Sequence, residues 1–269
     1  MRTVSVFLLM MMSCRLISGK CVAEDWCAFR GFNGNGWSDA RDVPLQWSND
    51  RNVAWKVQLP GQSNGSPIVS AGRIFLTSAE DDGRKRHLHC FDAASGETSW
   101  VRTVEFAQQM PTHKTNLYGG TTPAANGSRV VVWHGSAGLY CYDFDGNELW
   151  RRELGEFRHQ WGYGTSPVLH HDRIILHSGP GKNVFVAAFS LSDGTTLWKT
   201  DEPVDGDGER NSDNKYMGSW STPVITQLDG RHVAVCSMAT RVNGYDMQTG
   251  EILWYCEGLR GDRGDLAYT

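Results

Sequence analysis

The chain has 269 residues, 40% hydrophobic and 21% charged, with 30 glycines, 11 tryptophans and seven cysteines. That length and balance fit one large globular domain or two small ones, and exclude a disordered or fibrous chain. A formal net charge of −4 supplies no basic field, so nucleic acid is excluded as a partner on electrostatic grounds.

The chain opens with a short positive start at Arg2 and an apolar run over residues 6–12 (VFLLMMM). Cys21-Val22-Ala23 then offers small residues for cleavage before Glu24. The run is too short to span a bilayer and fits a signal-peptide core, so residues 1–23 are expected to be an export signal. Cys14 leaves a lipid anchor as the alternative. No later segment is apolar enough to cross a membrane.

Next comes residues 52–59, Asn52-Val53-Ala54-Trp55-Lys56-Val57-Gln58-Leu59, which reads as an isolated outer strand. Four segments with one grammar follow. Ser66-Pro67 leads to Arg73-Ile74-Phe75-Leu76, then His89-Cys90-Phe91-Asp92, Ser95-Gly96-Glu97 and Trp100. Thr122-Pro123 leads to Arg129-Val130-Val131-Val132, then Tyr140-Cys141-Tyr142-Asp143, Asp145-Gly146 and Trp150. Ser166-Pro167 leads to Arg173-Ile174-Ile175-Leu176, then Ala187-Ala188-Phe189-Ser190, Asp193-Gly194 and Trp198. Thr222-Pro223 leads to His232-Val233-Ala234-Val235, then Asn243-Gly244-Tyr245-Asp246, Thr249-Gly250-Glu251 and Trp254.

Successive tryptophans from Trp100 to Trp254 lie 50, 48 and 56 residues apart. Short strands repeating at that period predict an all-β propeller of four-stranded antiparallel blades. The blades are expected near 66–103, 122–154, 166–200 and 222–257. Proline opens each innermost strand, where a missing N–H costs least. The Arg- or His-led runs are central strands buried on both faces. Glycine before each tryptophan supplies a hairpin turn with positive φ. Trp55, Trp100, Trp150, Trp198 and Trp254 are expected to pack between blades. Cys90, Cys141, Ala188 and Gly244 share one slot, which calls for a small residue in a tight space.

This grammar, (S/T)-P…A-x-D-x-x-T-G-x-x-x-W, resembles the PQQ-like (pyrroloquinoline-quinone-type) β-propeller repeat family. The stretch from Asp25 to Gly36 is similar to the W-x-x-F-R-G-x-x-G-x-G opening of exported bacterial members, with Cys27 a departure. The resemblance covers residues 24–269 and implies a ring of seven or eight blades. About four blades plus the strand at 52–59 are present, so an incomplete ring is expected.

Two functions follow from the resemblance. Some members are non-catalytic exported scaffolds, among them an outer-membrane barrel-assembly lipoprotein. Others are quinoprotein dehydrogenases holding PQQ and calcium on the axis, with an aspartate base and a vicinal disulfide. This chain has no Cys-Cys pair and no C-x-x-C. It also lacks H-E-x-x-H, a Walker loop and G-x-S-x-G, so no catalytic or metal-ligating residue is assigned and no cofactor is expected. His170-His171 reads as a solvated turn. Acidic stretches at 143–148 and 205–213 are poor matches to a calcium loop.

The aromatic-rich connections entering each inner strand are the candidate binding face: His113, Asn116, Tyr118, His159, Trp161, Tyr163, Tyr216 and Trp220. Such side chains suit a protein or polysaccharide of the cell envelope, and packing between blades is the competing reading. The expected function is a periplasmic or extracellular binding or scaffold module. A quinoprotein dehydrogenase, or a degenerate relative of one, is the alternative.

Overall fold

The computed structural model describes residues 25–32, 34–41, 43–181, 183–202, 217–259 and 265–268. The expected export signal and Tyr216 lie outside the described residues, as does the acidic stretch at 205–213.

Four four-stranded antiparallel sheets follow one another in chain order, each with its strands in sequence order. Blade 1 is β1 (Ile68–Ser70), β2 (Arg73–Glu80), β3 (Lys85–Asp92) and β4 (Thr98–Glu105). Blade 2 is β5 (Ala124–Ala125), β6 (Arg129–Trp133), β7 (Leu139–Asp143) and β8 (Glu148–Arg152). Blade 3 is β9 (Val168–His170), β10 (Arg173–His177), β11 (Phe185–Ser190) and β12 (Thr196–Asp201). A short strand, β13 (Met217–Ser219), precedes blade 4, which is β14 (Val224–Leu228), β15 (Arg231–Ser237), β16 (Arg241–Asp246) and β17 (Ile252–Glu257). Finally β18 (Asp265–Ala267) runs parallel to β13.

Strand periodicity explains the stack. In β6, Val130 and Val132 face blade 1, joining Ile68, Phe75 and Leu88. Val131 and Trp133 face the other way, joining Ile174, Leu176 and Phe185 of blade 3. A third layer sets Ile175, Val186 and Trp198 of blade 3 against Ala234, Cys236 and Met238 of blade 4. In blades 2 and 3 the central strands are therefore apolar at nearly every position, because successive side chains point to opposite faces and each face meets a neighbouring blade. The core is three inter-blade layers rather than one.

Two devices join successive blades. Outside, the indole of Trp100 covers Gly146 of blade 2, and its Nε1–H donates to Phe144 O at 2.9 Å. Trp150 repeats this over Gly194, donating to Leu191 O at 3.1 Å. Trp198 does so over Gly250, donating to Met247 O at 3.0 Å. These glycines have φ of +83, +73 and +76°, and a Cβ on each would lie under 3 Å from the ring or its neighbours. Glycine is thus required twice, by the turn and by the indole above it.

Inside, the hydroxyl of the Ser/Thr-Pro motif accepts the main-chain N–H of the motif before it. Ser66 N donates to Thr122 Oγ1 at 3.0 Å, Thr122 N to Ser166 Oγ at 3.0 Å and Ser166 N to Thr222 Oγ1 at 3.1 Å. The proline in this motif was readable from sequence; the hydroxyl relay needed the blades side by side.

Residues 52–59 differ from expectation, since they form no strand. Trp55 nonetheless repeats the tryptophan device, lying over Gly96 and donating to Ala93 O at 3.2 Å. The segment carries the repeat's tryptophan but has no neighbour to complete a ladder among the described residues. It is anchored by its indole instead.

The shared small-residue slot also has a structural cause. Cys90, Cys141, Ala188 and Gly244 each pair directly with the tryptophan of their own blade. A register shift follows that pair in every blade. The bulge sends the next residue to the other face, so the slot faces a large ring at close range. Burial drives the Cys90 and Cys141 thiols up, to about 11 and about 12, so both are packing residues rather than nucleophiles. All five described cysteines are free.

Candidate functional site

The connections entering the inner strands meet along one edge of the stack. Asn116 Nδ2 donates to Trp161 O at 2.6 Å and to Tyr163 O at 3.0 Å, tying the loop before blade 2 to the loop before blade 3. Tyr163 Oη returns the contact to Tyr118 O, and Tyr118 Oη donates to Met110 O at 2.5 Å. Trp220 Nε1 donates to Gly162 O at 3.0 Å, tying the loop before blade 4 to that before blade 3.

Around Trp220 the rings cluster. His159 meets Trp220 edge-on at 5.0 Å and Trp161 at 5.6 Å, and Trp161 lies 5.9 Å from Trp220. Tyr268 stacks on Trp220 at 5.3 Å, held there because Trp220 N donates to Ala267 O. His159, Tyr163 and Trp220 are buried, and Asn116, Tyr118 and Trp161 half-buried. His113 stands apart, exposed, its Nδ1 2.8 Å from Thr115 Oγ1. The structure therefore gathers His159, Trp161 and Trp220, links Asn116, Tyr118 and Tyr163 beside them, and leaves His113 outside. Tyr268, 65% exposed, joins the cluster and was not anticipated. Its only sequence signal was the likeness of residues 266–269 to the lead-in at 163–165.

Electrostatics at this edge centre on Arg86, whose guanidinium is wholly buried. It lies over the rings of Phe106, Tyr118 and Tyr163 at 5.1–5.6 Å and donates to Gly83 O at 3.0 Å and to the main-chain carbonyl of His134. This aromatic cage replaces the carboxylate that a buried cation usually takes. Burial, with Arg86 adding to it, pushes His134 down to about 3, and burial alone holds His177 near 4 despite its contact with Ser221 O. Both imidazoles are neutral structural groups. Desolvation likewise lowers His159.

Between blades 3 and 4, Arg241 pairs with Glu202 at 3.3 Å, both buried, and lies over Tyr255. Asp143, weighed as a calcium ligand, accepts Asp145 N, Asn147 N and Asn147 Nδ2 within its own turn, which holds its carboxyl below the usual range. Those turn bonds occupy both of its oxygens.

Calcium needs several oxygen donors around one point. Among the described residues, the cluster that brings three metal-ligating side chains together is instead an imidazole set: His170, His171 and His232. The described cysteines offer no adjacent pair to a quinone.

The profile of the family described as outer membrane protein assembly factor BamB, a PQQ-repeat family, matches residues 45–117 and 84–264. The chain belongs to this family. It is 24% identical over 264 residues to a polyvinylalcohol dehydrogenase from a Pseudomonas species, covering 86% of this chain and 39% of that one. Among solved structures it is similar to two quinohemoprotein alcohol dehydrogenases. That from Comamonas testosteroni has a TM-score of 0.64 at 13% identity, covering 90% of this chain and 42% of that one. That from Pseudomonas putida HK5 has a TM-score of 0.61 at 15% identity, covering 90% and 41%. The chain thus spans about two fifths of the length of these relatives. At such identities the likeness shows the fold: the blades are those of a PQQ-repeat propeller.

Proposed function

We propose that this chain is an exported, non-catalytic binding or scaffold module that takes an envelope protein, or a glycan, on the lead-in edge. One observation supports the reading: the ring cluster of His159, Trp161, Trp220 and Tyr268 is braced by main-chain bonds, yet leaves Tyr268 and part of Trp161 open to solvent. Aromatic surface held rigid beneath and wet above is what recognition of peptides or sugar rings uses. The family description names outer-membrane assembly, which favours a protein partner and a periplasmic or extracellular setting. No helix among the described residues is long and apolar enough to cross a membrane.

The dehydrogenase reading draws on the names of the relatives above. Fold does not carry chemistry with it, and the sequence shows no adjacent cysteine pair of the kind the resemblance implies for such enzymes.

The test is a tryptophan-fluorescence titration of the purified chain with peptides from outer-membrane strands and with cell-wall oligosaccharides. Saturable binding that weakens roughly tenfold in Tyr268→Ala is expected, the size of a lost aromatic contact. Quinone absorbance with dye reduction after addition of PQQ and calcium would overturn the proposal.

A further inference from the structure

A cluster far from the lead-in edge has no part in the reading above. His170 closes β9, and His171 with Asp172 forms the two-residue turn into β10 of blade 3. His232 comes from β15 of blade 4. Their ligand nitrogens all lie within 4.8 Å of one another, and the ring centroids of His170 lie 4.2 Å from His171 and 4.5 Å from His232.

The register explains the meeting. In blade 1 the inner hairpin ends at the pair Ser70↔Arg73, and in blade 3 at His170↔Arg173. The equivalent pair in blade 4 is Thr226↔Val233, and two further rungs follow, Gln227↔His232 and Leu228↔Arg231. The repeat grammar set His232 level with Arg73 and Arg173. The structure puts Val233 in that slot and His232 one rung beyond it. Side chains alternate along β15, so His232 shares the face of Ala234 and Cys236, which pack on blade 3. The longer hairpin thereby reaches over the turn of the neighbouring blade. On the other side, His170 shares the face of its partner Arg173, whose Nη2 donates to Gln248 of blade 4 at 2.7 Å.

Three imidazoles packed ring to ring are poor company unless something joins them. His170 Nε2 is buried with no hydrogen-bond partner, a cost that proteins ordinarily avoid. His171 and His232 are exposed, so solvent can supply a further ligand.

We propose that His170, His171 and His232 form a three-histidine site for a divalent borderline metal ion, with zinc the reference ion, clamping blade 3 to blade 4. Imidazole suits zinc, copper and nickel, whereas calcium and magnesium want oxygen. Zinc–nitrogen bonds of about 2.0–2.1 Å put ligand atoms about 3.3 Å apart in a tetrahedron. Rotation of the two exposed rings closes the remaining gap, with water in the fourth position.

The experiment is a calorimetric titration of the chelator-treated chain with zinc chloride, followed by thermal melting. One zinc per chain and a raised Tm are expected, since an ion bound only by the folded state stabilises it. His171→Gln and His232→Gln should each weaken binding at least roughly tenfold, the scale of losing metal-site contacts. Both positions are exposed, and unchanged metal-free melting will show that the variants fold. Calcium chloride should give no heat. Cobalt(II) added to the unmutated chain gives a second readout: visible bands of a four-coordinate nitrogen site. Three results would each overturn the site: no heat at a roughly hundredfold excess of zinc over the folded chain, affinity unchanged in the double variant, or binding abolished by Cys256→Ser but kept without the histidines.

Discussion

Blade 4 ends differently from the three blades before it. Trp100, Trp150 and Trp198 each reach across to a glycine turn and give their N–H to a carbonyl there. Trp254 has no following turn among the described residues. Its indole lies back over Gly244 of its own blade, where a Cβ would come within 2.2 Å of the ring, and its Nε1 is buried without a partner. The same residue at the same place in the repeat is therefore a joint in three blades and a lid in the fourth. Packing against a neighbour, rather than any intrinsic preference of the strand, decides what the indole does.

That contrast can be broken in several ways. The largest effect is expected at a joint. Trp150→Ala should cost about 4 kcal/mol, the range for truncating a buried tryptophan, whereas Trp254→Ala should cost about half of that or less. Urea midpoints of the two variants give the comparison, and equal losses would contradict it. Next, Gly194→Ala places a Cβ 2.6 Å from the Trp150 ring at φ +73°. Left-handed strain and overpacking together should cost about 3 kcal/mol. Gly230→Ala has φ +78° but meets nothing within 4 Å, so only the strain remains, about 1 kcal/mol.

Acid sharpens the picture at the blade junctions. His134 and His177 sit near 3 and 4 when folded, below the ~6.5 of an unfolded histidine. Between those values the unfolded chain binds more protons, so stability is full above about pH 6.5 and falls as pH drops towards 4. A loss on the order of 2 kcal/mol per histidine is expected from pH 7 to 5, and a flat urea midpoint over that span would contradict their buried neutral state. The smallest effect is the most pointed. Trp198→Phe strands Met247 O and should cost about 1 kcal/mol, while Trp254→Phe removes an unpartnered N–H and should be neutral or stabilising.

The blades were legible because their signals are local. Glycine before tryptophan, Ser/Thr-Pro and the apolar central runs each reflect a turn, an inner-strand start or a doubly buried strand, all set within a few residues. The candidate edge was legible only in part. Its aromatic loops stand out, but the pairing of Asn116 with the loop before blade 3, the burial of His159 and the arrival of Tyr268 depend on blades placed side by side. The segment at 52–59 misled for the same reason, since a tryptophan in the repeat's place does not by itself supply a ladder partner.

Sequence by itself determined the unit: a four-stranded blade, its turns, its shared small-residue slot and its place in the PQQ-repeat pattern. Tertiary structure decided what passes between units, including the hydroxyl relay, the caged Arg86, the stranded Trp254 and the meeting of His170, His171 and His232. Periodicity records which faces are buried. It does not record the two extra rungs that carry His232 over a neighbour 62 residues away from His170, because that contact is fixed by how the blades stack.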